Sequence, residues 1–176
     1  IPPGYRVPDT AFFLSFINAI EAIPAEPIVL TGPPGRGKST FLSKACELLQ
    51  KKGIPLVRHH YYLSSTDRSH DRHTSFVVEE SLLAQIQHFH PDVHVHDRAL
   101  GSALAACAAH YKKRNKPFVL LLDGLDHVWR NQGQDKRPLD EIFNQVLPVF
   151  DNLVVVVGTQ PVEDAQLPSR LLAGTP

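Results

Sequence analysis

Gly32-Pro33-Pro34-Gly35-Arg36-Gly37-Lys38-Ser39-Thr40 is the stretch on which the fold of this chain turns. Gly32 to Ser39 fit the pattern G-x-x-x-x-G-K-[ST], which gains its meaning from what lies on either side. Upstream, Pro27-Ile28-Val29-Leu30-Thr31 is a continuous apolar run, as expected of a central strand buried on both faces. Downstream, helical spacing runs from Gly37 to about Lys52, with Phe41, Leu42, Ala45, Leu48 and Leu49 on one side and Gly53 as its stop. Strand, glycine-rich turn and helix in that order make a phosphate-binding loop. Gly35 and Gly37 let the backbone curl, so that successive N–H groups converge on phosphate oxygens while the helix N-terminus adds its positive end. Gly32, Pro33, Pro34 and Arg36 complete the loop around the nucleotide. Lys38 supplies a mobile charge for the β and γ phosphates, Ser39 a hydroxyl for Mg²⁺, and Thr40 a hydrogen bond to the α-phosphate.

Working outward, apolar periodicity alternates between strands and helices, the pattern of a mostly parallel sheet covered on both faces. Asp9 and Thr10 cap a first helix to about Ala22, with Phe12, Phe13, Phe16, Ile17 and Ile20 on its apolar side. Ile54 to Tyr62 reads as a second strand and the polar stretch Ser64 to Thr74 as a surface loop. Helices follow over Ser75 to about His88, through Phe76, Val77, Leu82, Leu83 and Ile86, and over Asp97 to about Arg114. Pro117 to Asp123 is a third strand, Leu139 to Phe150 a helix, and Asn152 to Gly158 a fourth strand. The fold expected is a three-layer α/β domain, with a mostly parallel central sheet between helices, and residues 1–176 as one unit.

A phosphate loop needs a carboxylate at the end of a neighbouring strand to hold the metal. Phe118-Val119-Leu120-Leu121-Leu122-Asp123 is an apolar run closed by such an acid, and Asp123 is the metal candidate beside Ser39. Asp126, past Gly124 and Leu125, is placed by a tight turn to orient a water. Its plainer reading is a turn-stabilising or helix-capping aspartate. His127 reads as an ordinary loop histidine. Thr159 or Gln160, at the end of the fourth strand, would reach the γ-phosphate, since strand ends in such sheets face the ligand crevice.

Composition narrows the function classes. The formal net charge is zero, so no global field draws the chain to nucleic acid or an acidic membrane. Lys51-Lys52 and Lys112-Lys113-Arg114 are short clusters at helix ends, without interleaved aromatics, so direct nucleic-acid binding is not expected. Apolar stretches such as Phe118 to Leu122 are far too short to cross a bilayer, and the expectation is a cytoplasmic protein. Cys46 and Cys107 lack a CxxC partner and suit small buried side chains in a reducing compartment. His88, His90, His94 and His96 have neither nearby cysteine nor the fixed spacing a zinc cage needs. The chain opens on Ile1, contains no methionine and stops at Pro176, which reads as a segment of a longer protein.

Three segments together resemble the NACHT-like P-loop NTPases of the STAND class of signal-transduction ATPases. They are the strand-linked GPPGRGKST loop, LLLDGLDHV (Leu120 to Val128) and VVVVGTQP (Val154 to Pro161). His59 to Leu63, Asp67-Arg68 and Ser81 to Ile86 look like the second-strand region and following helix of bacterial members. The class includes bacterial antiviral sensors and relatives of immune receptors. The resemblance implies ATP bound between this domain and C-terminal helical, winged-helix and sensor regions, an inactive ADP state, and homo-oligomerisation on activation. It gives Lys38, Ser39, Asp123 and Asp126 the phosphate, metal and catalytic roles, and places the adenine against Tyr5-Arg6-Val7-Pro8, where Tyr5 would stack on the base. Two positions depart from the pattern. Asp126-His127 stands where many members have Asp-Glu, and Gln160-Pro161 where many have an arginine; Arg68 and Arg72 are alternative sources of that charge.

Three functions fit these residues: a regulatory Mg-ATPase, a kinase passing the γ-phosphate to an acceptor, and a switch that binds without hydrolysing. No arginine-bearing lid follows the third strand, which disfavours the kinase. Asn115-Lys116-Pro117-Phe118 lacks the closing acid of a guanine-reading Asn-Lys-x-Asp, which favours ATP over GTP.

Overall fold

The computed structural model describes residues 10–62, 70–131 and 133–172, with backbone only at 70 and 71. Four strands, β1 (Ile28–Thr31), β2 (Leu56–His60), β3 (Phe118–Asp123) and β4 (Leu153–Thr159), form one sheet in the order β1-β4-β3-β2. Every pair is parallel. The helices are α1 (Thr10–Glu21), α2 (Lys38–Lys51), α3 (Ser75–Phe89), α4 (Leu100–Lys112), α5 (Asp126–Asn131), α6 (Arg137–Val146) and α7 (Ser169–Leu172), with short 3₁₀ turns at His70–His73 and Asp164–Gln166.

Consecutive residues of β3 and β4 point to opposite faces, and each face has its own core. On one, Leu56, Val119, Leu121, Val154 and Val156 meet α1 and α2. On the other, Val57, Leu120, Leu122, Val155 and Val157 meet α3, α4 and α6. Two covered faces explain why both inner strands are apolar without alternation. Cys46 and Cys107 are buried, unpaired thiols, one in each core. Phe41 of α2 receives the edges of Phe13 and Phe16 of α1 at 4.7 and 5.0 Å between ring centres, which pins α1 over the helix that follows the loop.

Several expectations are corrected. Among the described residues β1 stands at the edge of the sheet, not at its centre, and Val29 on it is 44% exposed. Phe76 projects outward, Phe12 leaves about half its surface exposed while its ring lies 5.4 Å from that of Phe41, and α3 buries Val78 where the spacing pointed to Val77. β2 begins at Leu56 and ends at His60, shorter than the Ile54 to Tyr62 run. Asp97 lies outside α4, two residues ahead of its N-cap Ala99, and accepts from Ala99 N–H at 3.0 Å and Ser102 Oγ at 3.1 Å. α6 runs from Arg137 only to Val146, because the chain turns out through Leu147 and Pro148. The turn after Asp123 continues as helix α5, and the polar loop holds the turn at His70–His73.

Being an edge, β2 would leave backbone groups unpaired. Gln85 of α3 covers them: its Nε2 donates to Arg58 O at 2.8 Å, and its Oε1 accepts from Arg58 N–H at 3.0 Å. One side-chain amide thus substitutes for a missing neighbouring strand. No helix among the described residues is long and apolar enough to cross a membrane.

Candidate nucleotide site

The loop leaves β1 and enters α2 as the spacing predicts. Gly35 and Gly37 adopt φ of 72° and 78°, the left-handed region where a side chain is strained. Gly37 ends the loop, its carbonyl accepting the Phe41 N–H at 2.8 Å to open α2. Lys38 folds back over the loop: Nζ donates to Gly32 O and, at 3.1 Å, to Pro33 O. Pro33, Pro34, Gly35 and Arg36 are exposed, as is Ser39 in the first turn of α2. The mouth of the loop therefore faces solvent with one ammonium held across it.

Strand register brings the carboxylate candidate to the same end of the sheet. His60, Asp123 and Gly158 stand in one row across β2, β3 and β4. Asp123 is 2% exposed, and its Oδ2 lies 3.2 Å from His60 Nδ1. A carboxylate only accepts when ionised, so the proton of this bond belongs to His60 Nδ1. On the other side Gly158 leaves the space: a Cβ there would collide with Asp123 Oδ1 and stand 2.7 Å from Leu42 Cδ1. The turn that follows is tied to β4, Gly124 N–H donating to Gly158 O at 2.8 Å with φ of 87° at Gly124.

Asp126 opens α5 and is equally buried, at 2% exposure. Its Oδ1 accepts the Gln160 N–H at 3.1 Å, and Arg130 Nη1 and His127 Nε2 lie 3.6 and 3.7 Å from Oδ2. Arg130 Nη2 also donates to Gln160 Oε1 at 2.8 Å. His127 lies in helix α5 and not in a loop, its ring stacked on Tyr62 at 4.2 Å and 7°. Burial holds its imidazole below the usual range against the opposing pull of Asp126, and the Arg130 and Lys38 charges push the same way as burial. Thr159 is buried, and its hydroxyl donates to Gln160 O at 3.1 Å.

The structure thus gathers Lys38, Asp123, Asp126 and Gln160 at the C-terminal ends of the parallel strands. Tyr5 and Arg68 lie outside the described residues. Arg72 is half-buried, its carbonyl accepting from His59 Nε2 at 3.1 Å. Sequence reasoning missed His60, Gly158 and Arg130. Only the last had a local signal, its i,i+4 spacing from Asp126; the other two depend on which strands are neighbours.

A family model for the NACHT domain matches residues 26–174. No curated protein matches the chain. Among solved structures, the Aeropyrum pernix ORC2 protein in its ADP form is similar at 15% identity and a TM-score of 0.49, over 92% of this chain and 44% of that one. The Aeropyrum pernix ORC1 protein in complex with DNA gives 16%, a TM-score of 0.47, and coverage of 95% and 44%. A DnaB-like replicative helicase, solved to show its interactions with primase, gives 13%, a TM-score of 0.37, and coverage of 84% and 43%. The chain spans less than half the length of each of these three proteins. The family model runs from ahead of β1 to beyond α7 and takes in the phosphate loop, the Asp123 turn and the end of β4: the chain belongs to the NACHT family of P-loop nucleotide-binding domains.

Proposed function

We propose that this domain binds Mg-ATP, hydrolyses it slowly, and uses its nucleotide state to control activation and homo-oligomerisation of a larger STAND-class signalling protein, in partnership with C-terminal helical, winged-helix and sensor regions. The observation that carries the reading is the row His60–Asp123–Gly158, which holds a buried carboxylate at the C-terminal end of the sheet, one strand removed from the strand that leads into the phosphate loop. A hydroxyl and a carboxylate are hard oxygen donors, and two protein ligands with waters and phosphates are what Mg²⁺ usually takes. Ser39 and Asp123 fit that ion, which would neutralise phosphate charge when bound.

Lys38 is the mobile cation of the site. Its two carbonyl partners are its own loop's, so exchanging them for β- and γ-phosphate oxygens needs a side-chain rotation and no backbone movement. The loop from Gly32 to Thr40 wraps the phosphates, with backbone N–H donors from every residue but Pro33 and Pro34, and Asp126 aligns the attacking water and accepts its proton. Thr159, held against Gln160, closes the γ-phosphate end of the crevice, and Tyr5 stacks on the adenine. Asn115, Lys116 and Pro117 precede β3 at its opposite end, about 20 Å of strand away from Asp123. They are too distant to read a base, which supports ATP over GTP.

The cation clusters at the helix ends support a domain that does not itself bind nucleic acid: Lys52 pairs with Glu21 at 2.6 Å and Lys112 with Asp151. The test is phosphate release from Mg-ATP by the purified chain with no acceptor added, alongside Asp123→Asn. Acceptor-independent release that Asp123→Asn abolishes supports the ATPase; release only with an acceptor supports a kinase, and binding without release a switch.

A further inference from the structure

Asp126 is enclosed in a way that a water-aligning carboxylate should not be. One oxygen, Oδ1, accepts the Gln160 N–H at 3.1 Å. The other, Oδ2, is buried without a hydrogen bond and faces Arg130 Nη1 at 3.6 Å and His127 Nε2 at 3.7 Å. A buried carboxylate oxygen without a hydrogen bond is costly, so a cation beside it is what keeps it there. Arg130 is fixed in turn from its far side, where Nη2 donates to Gln160 Oε1 at 2.8 Å. Backbone and side chain of Gln160 therefore close a ring through Arg130 onto Asp126. The Arg130 side chain is 52% exposed, which makes it the member of the ring free to swing into solvent.

We infer that Arg130 and Gln160 form a clasp that holds Asp126 away from the reacting water, so that the domain turns ATP over slowly until the clasp opens. The inference rests on the ATPase reading above. To align a water, Asp126 must bring an oxygen to roughly 2.6–3.2 Å from it. In the clasped arrangement one oxygen is engaged by a backbone amide and the other is sealed against a guanidinium. Swinging Arg130 outward releases Oδ2, and rotation about the Asp126 side chain then presents it to the crevice. Arg130 is thus a positioning residue that acts through Asp126. An arginine that instead touched the phosphates would act in the opposite direction on rate.

The test compares the chain with Arg130→Ala, Gln160→Ala and Arg130→Ala/Asp126→Asn, reading steady-state ATP turnover and, by NMR, hydrogen exchange at the residue-160 amide. Arg130→Ala should raise kcat about tenfold, a part of the 10²–10⁴ that a well-placed base supplies, with KM unchanged. Its residue-160 amide should exchange about tenfold faster, as one weakened hydrogen bond to a charged group implies. The double variant should lose the gain in kcat. If Arg130→Ala does not fold, Gln160→Ala removes the Arg130 acceptor alone and should show the same rise. Unchanged or reduced kcat in a folded variant overturns the clasp. If the unsubstituted chain binds ATP without turning it over, the ATPase reading fails separately; the exchange experiment then decides, and equal protection with and without Arg130 overturns the clasp.

Discussion

Gly158 and Asp123 face each other at one register position of the β3–β4 pair, and the absent side chain of the first is the space occupied by the carboxylate of the second. Gly158→Ala should therefore displace Asp123 and press on Leu42. We expect a loss of about 1–3 kcal/mol in urea unfolding, the usual cost of overpacking a filled interior. The Mg²⁺ dependence of ATP binding should weaken in the same variant. Stability equal to that of the unsubstituted chain would mean that the β3–β4 register is not the one described.

His59 gives the fold a dependence on acid. It is 3% exposed, and burial lowers its imidazole to about 4 against the Arg72 carbonyl, which favours the charged form. The unfolded chain takes up the proton near pH 6.5 while the folded chain resists it until about pH 4. Stability contributed by the neutral ring is thus complete above pH 6.5 and declines as pH falls toward 4, by up to about 3 kcal/mol. Burial lowers His90 as well and adds to the decline. Urea midpoints at pH 7.5 and 4.5 should differ less in His59→Gln, which keeps a donor for Arg72 O without a titrating ring; an identical difference in both proteins would remove His59 as the cause.

The Gln85 amide on the edge of β2 predicts a surface effect far from the nucleotide. Gln85→Leu removes both bonds to Arg58 and leaves an unpaired strand edge. Stability should fall by about 1–2 kcal/mol, two modest hydrogen bonds. Self-association should rise, which light scattering at increasing concentration would show. A variant that stays monomeric with unchanged stability would show that solvent replaces the amide fully.

How much of this was legible in the residues follows from what each feature depends on. The phosphate loop, α2, Gly53 as its stop, and Asp123 at the end of an apolar run are local, and pattern alone located them. Edge and centre are not local: Pro27 to Thr31 and Leu153 to Val157 look equally apolar, yet β1 lies at an edge with Val29 outward. Phe76 misled for a related reason, since an aromatic residue on a helix reports apolarity but not which neighbours are available. His60 and Gly158 acquire meaning only through cross-strand register. Arg130 gains its through Gln160, 30 residues further along the chain.

The most direct measurement of the central claim is calorimetric titration of Mg-ATP into the chain and into Lys38→Ala. Lys38 is the mobile charge at the mouth of the loop, donating to Gly32 O and Pro33 O. Losing a charge-assisted contact to phosphate of about 3 kcal/mol should weaken binding by roughly a hundredfold or more. Saturable binding by the unsubstituted chain that Lys38→Ala loses is the predicted result. Equal affinity in the two proteins would contradict the site itself.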